Sequence, residues 1–260
     1  MTAPKLRPPC SGWIEDLPEP SCKPTVPLAL DRNTPNHLDD IYLEVPRHSA
    51  GARGIYFWMG IAMALAGLSL SLLLLTDSSS LNLFEDFWVA ASDILFLIIF
   101  GCLAAVYVRM DISVPRDLPL RFNRARQRLY AYNFIDSWWN PFRRWHAAPV
   151  TYDWCQVRAE RWHKRAFTPQ GALIVKEGVV LSIVEPGTNK VIDRFPLSTM
   201  GADEFAWAYI CTYMQQGPSA LPPPDPPRDH TDVPWYKIGL RFAPEVKWPD
   251  DMDLESRTAP

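Results

Sequence analysis

Five cysteines (Cys10, Cys22, Cys102, Cys155, Cys211) and five histidines (His37, His48, His146, His163, His230) are the side chains with which this chain could build a nucleophile or ligate a transition metal. Zinc sites draw on ligands in short-spaced pairs, and the sequence contains no CxxC, HxxxH or HExxH. Cys155 and His163 become a thiolate–imidazolium pair only if folding brings them together; the alternative is a buried thiol beside a surface imidazole. Asp136 and Asp153 are available acids, but no partner carboxylate or nucleophile stands at the spacing that acid–base chemistry requires. The phosphate cradles GxGxxG and Walker A and the nucleophile elbow GxSxG are missing as well. The residue types thus predict no enzyme, no cofactor and no metal, and the odd, widely spaced cysteines predict no disulfide framework.

One carboxylate stands in apolar surroundings. Ile55 to Leu75 is an uncharged run, and Phe87 to Val108 carries Asp93 as its single charge. At 1.5 Å per residue each covers roughly 31–33 Å, about the hydrocarbon thickness of a bilayer. Trp58, Trp88 and Tyr107 lie near the ends, where amphipathic rings prefer the headgroup layer. The runs predict two transmembrane helices in a hairpin, in which Asp93 reaches a depth similar to that of Ser69 and Ser71. Asp93 is then either a proton-relay or ion-path group or a hydrogen-bonded staple between the helices. Gly60, Ala64, Gly67 and Ser71, spaced by four, three and four, form a small-residue stripe through which a homo-oligomer could pack.

The net charge of minus three hides a strong asymmetry. Residues 116–165 hold 11 Lys/Arg against 4 Asp/Glu, whereas residues 166–260 hold 8 against 13. Arg47 and Arg53 precede the first span, Arg109 to Arg128 follow the second, and the connection between spans has no cation, so both termini are expected in the cytoplasm. Trp138, Trp139, Trp145, Trp154 and Trp162 interleave with Arg143, Arg144, Arg158, Arg161, Lys164 and Arg165. Nucleic-acid platforms use that mixture, and so do surfaces that lie on an anionic leaflet. Tethering close to a bilayer favours the leaflet and argues against nucleic acid. Arg121, Arg124, Arg126, Trp138, Trp139, Arg143 and Arg144 are the expected membrane-surface or partner contacts.

The elements around these groups predict an α+β fold. Residues 1–46, rich in proline, read as an extended or disordered tail. Residues 47–115 form the transmembrane hairpin. Alternation at Leu118, Leu120 and Phe122 and at Tyr130, Tyr132 and Phe134 brackets a turn, and further strands are expected at 150–154, 172–175, 179–185 and 190–196. Residues 203–216 open on two acids and close on Gly217-Pro218, a helix that caps the sheet. Trp235 to Phe242 reads as an edge strand ending a β-rich domain at 116–247, with an acidic tail at 248–260. This order of a small antiparallel sheet or barrel and one helix is that of a pleckstrin-homology-like domain.

The polar Pro-rich start, the two spans and the segment Pro115-Arg116-Asp117-Leu118-Pro119-Leu120-Arg121-Phe122-Asn123-Arg124, followed by Leu129-Tyr130, together resemble an uncharacterised family of two-span bacterial inner-membrane proteins. Members are often encoded beside type VI secretion effectors. The resemblance implies a multi-pass inner-membrane protein that binds a cognate effector or toxin stoichiometrically, as an immunity or effector-associated protein. The plus-seven middle and the pleckstrin-like order leave open a second reading, a membrane-tethered regulatory or lipid-sensing module.

Overall fold

Neither apolar run contains a proline, and both become long helices: α1 spans Tyr56–Asp77 and α2 spans Leu83–Ile112. The computed structural model describes residues 4–30, 34–47, 54–77, 83–137, 140, 143–167, 173–197, 204–223 and 235–260. Both helices are long and apolar enough to cross a membrane, and most of their length is not covered by the rest of the chain. Leu65, Leu68, Leu72 and Leu73 of α1 and Phe96, Leu97, Ile98 and Ile99 of α2 point outward. With 30 residues, α2 is roughly 45 Å long and overshoots a hydrocarbon layer of about 30 Å.

The hairpin interrupts a sheet. Strand β3 (Tyr42–Val45) lies antiparallel to β4 (Leu120–Asn123), with Val45 opposite Leu120, so α1 and α2 together are the connection between two adjacent strands. With β2 (His37–Leu38), β5 (Arg128–Ile135) and β6 (His146–Asp153) these form a five-stranded sheet in the order β2-β3-β4-β5-β6. A second sheet has the order β1-β7-β8-β9, from β1 (Trp13–Asp16), β7 (Val157–Phe167), β8 (Leu173–Val184) and β9 (Val191–Pro196). Every pairing between these strands is antiparallel. The fold is α+β as expected, but among the described residues the sheets remain two and no barrel closes.

Helix α3 (Glu204–Gln216) packs into the core formed by both sheets, including Leu43, Phe122 and Leu129 from one and Val157, Leu181 and Ile183 from the other. Every residue from Ala206 to Met214 is buried, as the apolar character around its whole circumference requires. Burial on all sides needs a cover beyond the sheets, and the N-terminal segment supplies it. Trp207 Nε1 donates to the Pro18 carbonyl at 2.9 Å, Gln215 Nε2 to that of Cys22 at 3.3 Å, and Tyr213 Oη to that of Asp39 at 2.9 Å.

Residues 1–46 are therefore no tail within their described part. Leu17, Leu30, Leu43 and Val45 enter the core, and buried Glu160 accepts from Cys10 N at 2.9 Å, from Arg194 Nε at 3.0 Å and from Ser182 Oγ. Such a segment cannot fold alone, but its few apolar residues suffice when a core already exists to receive them. Two further expectations are corrected at the other end. Trp235–Lys237 is a 3₁₀ turn leading into α4 (Ile238–Phe242), where an edge strand was expected. The acidic tail holds α5 (Asp250–Arg257), and Trp248 packs against Tyr130 and Tyr132.

Candidate membrane interface and binding groove

Inside the hairpin, Ser71 Oγ donates to Asp93 Oδ2 at 2.9 Å, the expected interhelical bond. Ser69 does not take part, since its hydroxyl donates to the Leu65 carbonyl of its own helix. Asp93 Oδ1 is enclosed without a hydrogen-bond partner. The small-residue stripe serves this same contact. A Cβ on Gly60 would stand 2.6 Å from Val108 Cγ2 and 2.9 Å from the Ala104 carbonyl, and one on Gly67 2.8 Å from Phe100 Cβ. Gly60, Gly67 and Ser71 thus pack against α2, and Ala64 of the same stripe is exposed.

The base of the hairpin is stitched by Asp111, which is fully buried near the end of α2. Its carboxylate accepts from Gly54 N at 2.9 Å and Phe57 N at 2.7 Å, so one helix satisfies orphan amides at the start of the other. Gly54 has φ +88° and lies against the Lys237 side chain, where a Cβ would come within 2.6 Å. Arg109, in the last turn of α2, stacks at 4.6 Å on the Trp145 ring and donates through Nη2 to the Arg143 carbonyl at 2.9 Å. Arg143 and Arg144 are exposed beside this contact, placing two cations near the end of the helix. Trp138 and Trp139 lie outside the described residues.

The remaining predicted surface cations are drawn into contacts with the rest of the chain, Arg121 fully and Arg124 and Arg126 in part. Arg121 is 3% exposed. Its Nε pairs with Glu44 at 2.5 Å, its Nη1 with Asp253 at 2.7 Å and Ser256 Oγ at 2.8 Å, and its guanidinium covers the Trp248 ring at 4.5 Å. Burial excludes Arg121 as a contact to lipid or partner. Asn123 Nδ2 donates to the carbonyls of Ser256 at 3.1 Å and Thr258 at 3.0 Å. Arg126 Nε donates to that of Thr258 at 2.9 Å, and Arg128 pairs with Glu255. Arg124 is half-buried with its guanidinium against Gly217. Two ion pairs, Arg121 with Asp253 and Arg128 with Glu255, thus join the basic middle to the acidic end of the chain, and the Arg121-Phe122-Asn123-Arg124 segment is largely a clasp for α5.

Arg47 is likewise withdrawn. It donates to the Leu118 and Tyr132 carbonyls, each at 2.6 Å, and burial lowers its pKa to about 10 against the opposing charge of Asp117. Cys155 and His163 are not brought together. Cys155 sits before β7, and the Val157–His163 stretch of that strand separates the two by roughly 20 Å at 3.3 Å per residue. Among the described residues no three His, Cys, Asp or Glu side chains gather in a way that could hold a metal ion.

An open groove of about 870 Å³ lies on the folded domain, bounded by Glu19 and Ser21, by Arg126 and Gln127 in the β4–β5 turn, by Trp154 and Arg158, and by Gln215 of α3. Its walls thus come from segments remote in sequence, which no local pattern could reveal. Arg158 Nη1 donates to the carbonyls of Cys155 and Val157, both at 2.8 Å, and Arg126 is tied to the C-terminal segment, so hydrogen bonds position both cations at the rim.

Residues 97–238 match DUF6708, a family of unknown function. The chain belongs to this family. No curated protein and no solved structure matches it. The DUF6708 region begins within α2 and includes β4 to β9 and α3, hence the second half of one span, most of both sheets and the Arg121–Arg124 segment of the clasp. Helix α5, which the clasp holds, lies beyond the region, as do α1 and β1 to β3. In this DUF6708 protein the matched region is completed by segments from both ends of the chain.

Proposed function

We propose that this protein is a membrane-anchored, non-catalytic binding protein that occludes a cognate effector or toxin of a type VI secretion locus. The observation that carries the binding half is the groove, which holds Arg126 and Arg158 at its rim and, among the described residues, is lined by no histidine that could serve Cys155 as a base. The cellular setting rests on the resemblance of residues 115–130. The anchor is read as crossing the inner membrane twice with both termini in the cytoplasm. That reading is supported by the Lys/Arg bias and by the pairing of β3 with β4, which keeps the segments before and after the hairpin on one side. Co-expression with the toxin of the neighbouring gene tests the function. Survival that depends on this protein, and is lost with Arg158→Glu at the groove, is the expected result; equal killing with and without it refutes the proposal.

The exposure of Arg143 and Arg144 beside the helix end favours a second reading, a membrane-tethered lipid-sensing module. Reconstitution of the intact chain into neutral and anionic bilayers separates the two. A change in domain accessibility on anionic lipid that vanishes in Arg143→Ala/Arg144→Ala supports lipid sensing. A truncated domain starting at residue 116 is unsuitable because it lacks β1 to β3.

A further inference from the structure

Residues 235–242, WYKIGLRF, present aromatic rings to the outside. Trp235 is 78% exposed, Phe242 65% and Tyr236 47%. Single exposed apolar residues are ordinary, whereas several within one short segment mark an interaction surface. The segment is fixed against the base of the hairpin by four independent contacts. Trp58 Nε1 donates to the Tyr236 carbonyl at 2.8 Å. The Phe57 and Phe242 rings lie 6.4 Å apart. Buried Gly239 is so close to Asp111 and Phe57 that a Cβ would stand 2.9 Å from each of their Cβ atoms. Lys237 packs on Gly54.

These contacts place the segment level with the first turn of α1 and the last turns of α2, where Tyr56 and Tyr107 stack at 6.2 Å. Its inner side is Gly239; its outer side continues the exposed surface of Ile55, Trp58 and Met59. Trp, Tyr and Phe rings at this level suit the boundary between headgroups and acyl chains. Lys237 and Arg241 add positive charge to the same short stretch. Continuity with the lipid-facing surface of the spans distinguishes a bilayer from a protein partner as the occupant.

We propose that residues 235–242 are a third lipid-contacting element, an interfacial collar whose Trp235, Tyr236 and Phe242 enter the leaflet at the base of the hairpin. The inference rests on the anchoring half of the proposed function. It is tested with the full-length chain in nanodiscs of phosphatidylcholine and phosphatidylglycerol, in a Cys22→Ser/Cys102→Ala/Cys155→Ser background. A spin label is placed at Phe242→Cys or, should that variant not fold, at Trp235→Cys. Leu68→Cys on the exposed face of α1 and Leu254→Cys on α5 serve as hydrocarbon and water references. The collar label is expected to lose accessibility to a water-borne nickel chelate and gain accessibility to oxygen, shifting from the Leu254→Cys value toward that of Leu68→Cys. A label as accessible to the chelate as Leu254→Cys, with Leu68→Cys still in hydrocarbon, overturns the collar and leaves the anchor standing. A label shielded from both reagents assigns the rings to a protein contact and also overturns it. Exposure of Leu68→Cys to the chelate refutes the anchor itself.

Discussion

Arg121→Ala removes the centre of the clasp, and its cost can be worked from the surroundings. Glu44, largely buried, loses its guanidinium partner and keeps Asn36 Nδ2 at 3.1 Å, a neutral donor. Asp253 is a third exposed and retains Arg257 at 3.1 Å, so it suffers less. Removing one partner of a buried ion pair costs about 3–5 kcal/mol, because the other charge stays behind without compensation. The remaining donor on Glu44 and the solvent reached by Asp253 bring the expectation to the lower end, about 3 kcal/mol. At roughly 2–4 °C per kcal/mol for a chain of this size, the unfolding midpoint should fall by roughly 6–12 °C. Thermal unfolding in detergent, followed by tryptophan fluorescence, measures this, and amide exchange across 250–257 should rise before the rest of the domain. Glu44→Gln in the Arg121→Ala background should recover part of the loss, since the stranded charge is gone. A midpoint lowered by less than about 2 °C, or α5 amides that exchange as in the parent, would refute the clasp.

Three other outcomes follow from the same geometry. Gly60→Val drives a branched side chain into Val108 and the Ala104 carbonyl, and overpacking of about 1–3 kcal/mol should lower hairpin stability in detergent, measured by the unfolding midpoint. Asp111→Ala strands the Gly54 and Phe57 amides and should cost about 1–2 kcal/mol, read by faster amide exchange at the start of α1. Iodoacetamide at pH 8 should modify exposed Cys22 and Cys155 in the native protein while sparing Cys10 and Cys211, as peptide mass mapping would show. Burial and the Glu160 carboxylate push the Cys10 thiol up to about 11, and the thiolate is the reacting species. Protection of Cys10 should therefore persist through pH 9 and fade as pH approaches 11, whereas in the unfolded chain it is gone already near pH 9.

Much of the fold was legible because its signals are local. The apolar runs set α1 and α2 by length alone, and the turn at 186–189 shows itself through Gly187, whose φ of +72° a glycine adopts freely. Helix α3 was legible from its acids, its Gly217-Pro218 stop and its unbroken apolar circumference. Strand β7 was hidden because Arg158, Arg161, Lys164 and Arg165 dominate its composition, and a buried Glu160 breaks the alternation. Strands β1 and β3 form by pairing with strands far along the chain, which proline content cannot reveal. Residues 235–242 fit a strand in sequence because alternating aromatic and charged residues suit one face of a sheet as well as they suit the 3₁₀ turn and short helix α4 found there. Counting charges located a basic block but gave no hint that α5 would fold back onto it. Of the residues predicted for the interface, only Arg143 and Arg144 among the described ones keep an exposed position, and that difference is one of tertiary burial.

Because the helical pair is inserted between neighbours of one sheet, the domain is moored by two lines rather than one. A protease cutting between Val45 and α1, or between α2 and Leu120, would leave the folded body attached through the uncut link. Shedding would require both cuts, and even then the new ends would remain side by side along the β3–β4 ladder.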